Sequence, residues 1–218
     1  MKRFIPILMM LLLLTGCGAQ SSETTYRQIS MEEAVTMMEE ETGYIIEQKI
    51  DHRLNWLMDA EGAPLDVVSL IPLPACRIVW VDDPLKIDGS ADMETPIRKL
   101  DQSDAEAVVF LGKVGLGISV EHLQKAETAQ YDGIFLILDQ EDIYTGGTLD
   151  LPETLCVRLR FRGSHAEAPA QYQKLLDYID KHKMQIVGFS REVTLIDYGV
   201  TNDAEKFVTE ICIPVKCE

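Results

Sequence analysis

One acidic residue interrupts an apolar run near the end of this chain. Residues 186–196 read IVGFSREVTLI, and Glu192 falls where a strand interior is expected. A carboxylate there is costly to bury unless a donor or a cation meets it. Two partners are open from the residues alone. One is a cationic ligand. The other is an arginine of a neighbouring strand, because Arg158, Arg160 and Arg162 alternate onto one face of 155–162. Glu210, on the last strand, is a second acidic candidate and reads more readily as structural. Trp80 and Phe135 could line a cleft between two halves of the chain. They read more readily as core, as does Tyr172 at its helical spacing. His165, in RGSH, reads as a turn or capping residue rather than a base.

Several chemistries are excluded. Gly112, Gly115 and Gly117 fit neither GxGxxG nor GxxxxGK[ST], so no nucleotide-phosphate loop is present. The cysteines lack CxxC spacing and a histidine at zinc-ligand distance, so neither a metal nor another cofactor is expected. Ser22, Val81, Phe161 and Cys217 stand five positions after Cys17, Cys76, Cys156 and Cys212, which excludes a Cys-x4-Arg sulfur-transfer loop. A net charge of −16, spread along the 218 residues, argues against nucleic acid and favours a cationic partner or simple solubility.

The elements that must position Glu192 read as follows. Residues 29–41 start on a capping box, Ser30 to Glu33, and form a helix ending near Gly43. A second helix over 45–60 places Ile46, Ile50, Leu54, Leu57 and Met58 on one face. Residues 67–81 are strand-like but interrupted by Pro72 and Pro74, as at an edge or bulge, and 83–89 form a loop. A helix over 93–100, a glycine-kinked strand over 107–118, a short helix over 120–126 and a strand over 131–138 follow, with a turn at Gly146-Gly147. The second half repeats the plan. After the strand 155–162, a helix carries Ala168, Tyr172, Leu175, Leu176 and Ile179 on one stripe, followed by strands over 185–197 and 207–215. Pro169 fits the first turn of that helix, whereas a capping box from Ser164 to Glu167 would place it deeper. The expectation is an α+β fold, two pseudo-symmetric βαββ halves preceded by two short helices. Cys76, Cys156 and Cys212 fall inside strands and are expected as buried thiols.

Residues 1–16 read as a leader. Lys2 and Arg3 precede an apolar stretch, Phe4 to Leu14, too short to span a bilayer of about 30 Å. Leu14-Thr15-Gly16-Cys17 resembles a bacterial lipoprotein box, which implies a lipidated Cys17, a polar tether over 17–25 and anchoring to the extracytoplasmic face of the cell membrane. The helical segment then covers 26–62 and the main domain 64–218.

From about Asp66 to Lys216 the chain resembles the effector-binding, or gyrase-inhibitor-like, domain of MerR-family multidrug-sensing regulators. The matching stretches are VVFLGKVGLGIS from Val108, YDGIFLILD from Tyr131, LRFRGSH from Leu159, YQKLLDYI from Tyr172, IVGFSREVTLID from Ile186 and FVTEICIPV from Phe207. The family's winged helix-turn-helix is missing from this sequence, so DNA binding is not implied. A small-molecule pocket is. The resemblance places its buried acidic residue at Glu192 and an aromatic lining that includes Phe207, with Trp80, Phe135, Tyr172 and Glu210 as further ligand-site candidates. An aromatic cage around one carboxylate suits a small hydrophobic cation. Some relatives hydrolyse small electrophiles with a glutamate and an aromatic hydroxyl, and others act by protein contact. Both remain alternatives, and the 45–60 helix leaves a homodimer open.

Overall fold

The computed structural model describes residues 51–86, 113–139, 142 and 144–217. The expected helices over 29–41 and 93–100, and the leader, lie outside these residues. The chain is helical over 51–62 (α1). Among the described residues nine strands follow: β1 Ser69–Leu73, β2 Cys76–Leu85, β3 Val114–Gly117, β4 Tyr131–Leu138, β5 Leu149–Leu151, β6 Thr154–Arg162, β7 Met184–Ile186, β8 Arg191–Ile196 and β9 Val208–Cys217. Two further helices are α2, Val120–Gln124, and α3, Ala168–Lys181.

All strands join one antiparallel sheet in the order β1-β6-β9-β8-β3-β4-β2-β5, with β7 also on β9. The duplication is visible in that order. Each half runs first strand, third strand, second strand: β2-β4-β3 and β6-β9-β8. The halves meet along β3 and β8, where Gly115 faces Val193 and Leu116 faces Glu192. Glu192 therefore sits on the seam of the molecule.

Alternation divides the sheet into two faces. One carries Leu116, Ile134, Leu136, Val157, Leu159, Ile211 and Ile213, and α3 seals it with Ala168, Tyr172, Leu175 and Ile179. The other carries Ile78, Trp80, Phe135, Val193 and Leu195, against which Trp56 and Ala60 of α1 pack. Here Trp80 and Phe135 lie over backbone bare of side chains. A Cβ on Gly115 would meet Phe135 at 2.3 Å, and one on Gly117 would meet Trp80 at 2.7 Å. Those glycines make room for aromatic rings.

Several expectations are corrected. The 67–81 stretch is two strands: β1 pairs with β6, whereas β2 lies between β4 and β5. β2 continues to Leu85 through an irregularity after Asp82, so the expected loop begins later. The 185–197 stretch breaks into β7 and β8, with Gly188 packed on Pro214 between them. The described part of the 45–60 helix turns Trp56 and Ala60 inward, leaving Leu54 and Met58 exposed. The apolar spacing at 54 and 58 marks the outer face, because Trp56 has more area to bury. The two readings of Ser164 and Pro169 prove compatible. The Ser164–Glu167 capping box closes a separate 3₁₀ turn, His165–Glu167, and α3 starts afresh at Ala168 with Pro169 in its first turn. Cys76, Cys156 and Cys212 are free thiols; the latter two are buried.

Candidate functional site

Period-two alternation along β8 sends Glu192 and Thr194 to the α3 face and Arg191, Val193 and Leu195 to the other. Glu192 is completely buried, and among the described residues no arginine meets it. The Tyr131 hydroxyl donates to Glu192 Oε1 at 2.8 Å, and His165 Nδ1 lies 2.6 Å from the same oxygen. Glu192 Oε2 has no hydrogen-bond partner among the described residues.

The surrounding hydroxyls fix the direction of the hydrogen bonds. Thr209 Oγ1 donates to the Gly163 carbonyl at 2.7 Å, so it accepts from Thr194 Oγ1 at 3.0 Å. Thr194, its proton spent, accepts from His165 Nε2 at 3.3 Å. His165 Nε2 is thereby assigned its proton. Two lone pairs cannot face each other at 2.6 Å, so one further proton lies between His165 Nδ1 and Glu192 Oε1. Whichever atom holds it, the pair is neutral as a whole, and this is how the seam tolerates a buried acid. Burial, reinforced by the charge of Glu192, pushes the Tyr131 phenol far above its ordinary range. Tyr172, fully buried and hydrogen-bonded to Ser190 Oγ at 2.8 Å, is raised for the same two reasons. Both phenols keep their protons, and Tyr131 donates its own to Glu192.

Of the residues expected from sequence, Glu192 and Tyr172 lie on the α3 face. Trp80, Phe135 and Glu210 lie on the opposite face and form no cage around Glu192. Phe207 is buried and packs edge-on against Tyr198, with ring centroids 4.7 Å apart. The arginine partner open to Glu192 instead belongs to Glu210, which accepts from Arg160 Nε at 2.6 Å and has Arg158 at 3.8 Å. His165 does lie in a turn, the 3₁₀ turn that Ser164 caps, and also supplies the ring that meets Glu192. Tyr131 was missed as a site residue. It lies 61 positions from Glu192, and only its strand-initial place in a matched stretch hinted at a role. Among the described residues no cluster of histidine, cysteine and carboxylate side chains could hold a metal.

The sheet with its paired halves meeting along β3 and β8 is the frame on which Glu192 sits. The profile of the GyrI-like small molecule binding domain matches residues 67–216, and the chain belongs to that family. No protein of curated function matches the sequence. EcmrR in its complex with DNA is similar at 14% identity and a TM-score of 0.54, over 87% of this chain and 78% of that one; this is a likeness of fold. SAV2435 bound to tetraphenylphosphonium is similar at 17% identity and a TM-score of 0.41, over 69% and 94% of the two chains. A hydrolase from Listeria innocua is similar at 14% identity and a TM-score of 0.45, over 73% and 96%.

Proposed function

We propose that this protein is a lipid-anchored receptor, held at the extracytoplasmic face of the cell membrane through Cys17, that takes up a small hydrophobic cation at Glu192. The observation that carries the reading is Glu192 itself: fully buried, held on Oε1 by Tyr131 and His165, with Oε2 unbonded among the described residues. A lipophilic cation at Oε2 would replace the proton shared with His165 as the charge partner and bury its own apolar surface against the α3 face. The acidic excess of the chain would raise the local concentration of such a cation. The exposed Leu54 and Met58 on α1 support dimerisation through that helix.

The test uses the full chain in zwitterionic nanodiscs, titrated with phosphonium and cationic dye ligands against empty nanodiscs. Saturable binding of at least one ligand is expected; none across a broad panel would sink the cation reading. Cys17→Ser should release the protein from cell membranes, and continued retention would remove the anchor.

A second reading rests on the Tyr131–Glu192–His165 arrangement. A carboxylate between a phenol and an imidazole can take a proton from water and return one to a leaving group. Hydrolysis of activated esters or strained rings that vanishes in Glu192→Gln would favour this enzyme reading over a receptor.

A further inference from the structure

The face of the sheet away from Glu192 has its own cavity, of about 270 Å³, between β1, the strands β6, β9 and β8, and α1. Its polar lining is Arg158, Arg160, Arg191, Glu210 and Asp59, and its apolar walls include Trp56, Leu73 and Val193. In a chain of net charge −16, this enclosure gathers three guanidiniums against two carboxylates.

The surplus can be assigned to one residue. Arg160 is fully engaged: Nε donates to Glu210, while Nη1 and Nη2 donate to the Asp59 carbonyl and carboxylate. Arg158 has its long contact with Glu210. Arg191 is only 8% exposed and makes no ion pair among the described residues. Its one hydrogen bond there runs from Nη1 to Cys76 Sγ, at 3.2 Å. Sulfur is a weak acceptor. Burial holds the Cys76 thiol above its ordinary value, despite Arg191, so it supplies no anion. Cys212, on the same wall, is raised well above its ordinary value as well, by its contact with Cys156 and by burial. An arginine cannot escape by losing its proton, unlike a buried lysine.

We infer that this cavity is a second ligand site, built for a small monoanion with an apolar body, such as an aryl or short-chain carboxylate. The head group accepts two hydrogen bonds from the Arg191 fork. The body lies against Trp56, Leu73 and Val193. The volume, near the small end of ligand pockets, excludes long acyl chains. The site is distinct from the Glu192 site, since β8 turns these neighbouring residues to opposite faces of the sheet.

The test is ¹⁹F NMR of 4-(trifluoromethyl)benzoate with the full chain in zwitterionic nanodiscs, with empty nanodiscs and the neutral benzamide as controls. Saturable binding of the carboxylate and not the amide is expected, weakened roughly tenfold or more in Arg191→Met, which keeps the length and removes the charge. Should Arg191→Met fail to fold, Val193→Trp, which fills the apolar end, must abolish binding instead. Absence of binding by wild type across a series of short carboxylates, or equal binding by the folded Arg191→Met protein, overturns the inference. Glu192→Gln separates the two sites. It should not abolish carboxylate binding, and abolition would place the anion on the wrong face and end the proposal.

Discussion

Replacing Glu192 by glutamine separates a carboxylate kept for a ligand from one kept for the fold. The amide is nearly isosteric. Placed at the Oε1 position, its nitrogen can donate to His165 Nδ1 and to the Tyr131 oxygen, the two atoms now 2.6 and 2.8 Å away. The amide beside a neutral His165 leaves no uncompensated charge in the core. Stability should change by no more than about 1 kcal/mol, the scale of one neutral hydrogen bond, or roughly 2–4 °C in Tm for a chain of this size. Binding of a cation should change far more. A cation about 4 Å from a carboxylate is held by about 4 kcal/mol at an effective dielectric constant near 20. Part of this is spent displacing the shared proton, so about 2–4 kcal/mol remains. That is a loss of roughly 30- to 1,000-fold in affinity. Differential scanning fluorimetry and dye titration on the same preparation read both quantities. A large fall in Tm with unchanged affinity would refute the reasoning and make Glu192 a structural member of the Tyr131–His165 network.

Arg160→Met strips Glu210 of its close partner and frees α1 from the sheet. We expect a cost of about 3 kcal/mol, the lower end for a broken buried pair because Asp59 stays solvated. Thermal melts and limited proteolysis near residue 62 should show it together, and an unshifted melt would contradict it. On the surface, a hydrogen bond to Asp132 and that residue's charge raise His122 above 6.5. Its folded value exceeds its unfolded one, so its small contribution is present in full below about pH 6.5 and is lost as pH rises through the folded value. Melts of His122→Gln and wild type should therefore differ at pH 5.5 and converge at higher pH; a constant difference would contradict this.

The fold was legible where periodicity and matched stretches coincide. Tyr131–Leu138 is the expected strand, and the α3 stripe of Ala168, Tyr172, Leu175 and Ile179 is buried as the spacing requires. The site was legible in its centre and not in its surroundings. Glu192 stands out because a charge in an apolar strand breaks a local rule. Its partners do not, because they come from 61 and 27 positions away, and side-chain pairing across a sheet depends on register. The expected cage failed for the same reason. Trp80 and Phe135 have the right chemistry, but strand parity and the bare glycines of β3 turn them to the other face.

On the two proposals above, β8 would serve two ligands of opposite charge. Arg191 and Glu192 are neighbours in sequence, both almost wholly buried, and they do not neutralise each other because the pleat sends them apart. Each therefore looks outward from the sheet for its partner. Glu192 finds a proton shared with His165, and Arg191 finds a thiol. The thiol is a weak, uncharged acceptor, whereas the shared proton balances the charge of Glu192. Occupation of one face would still be felt on the other through the backbone of β8, whose ladder to β3 has only two residue pairs. Such a short ladder can twist at lower cost than the eight-pair ladder between β6 and β9. Coupling between the two sites is thus expected to run through the seam, and the affinity of the cation measured with and without the carboxylate gives its size directly.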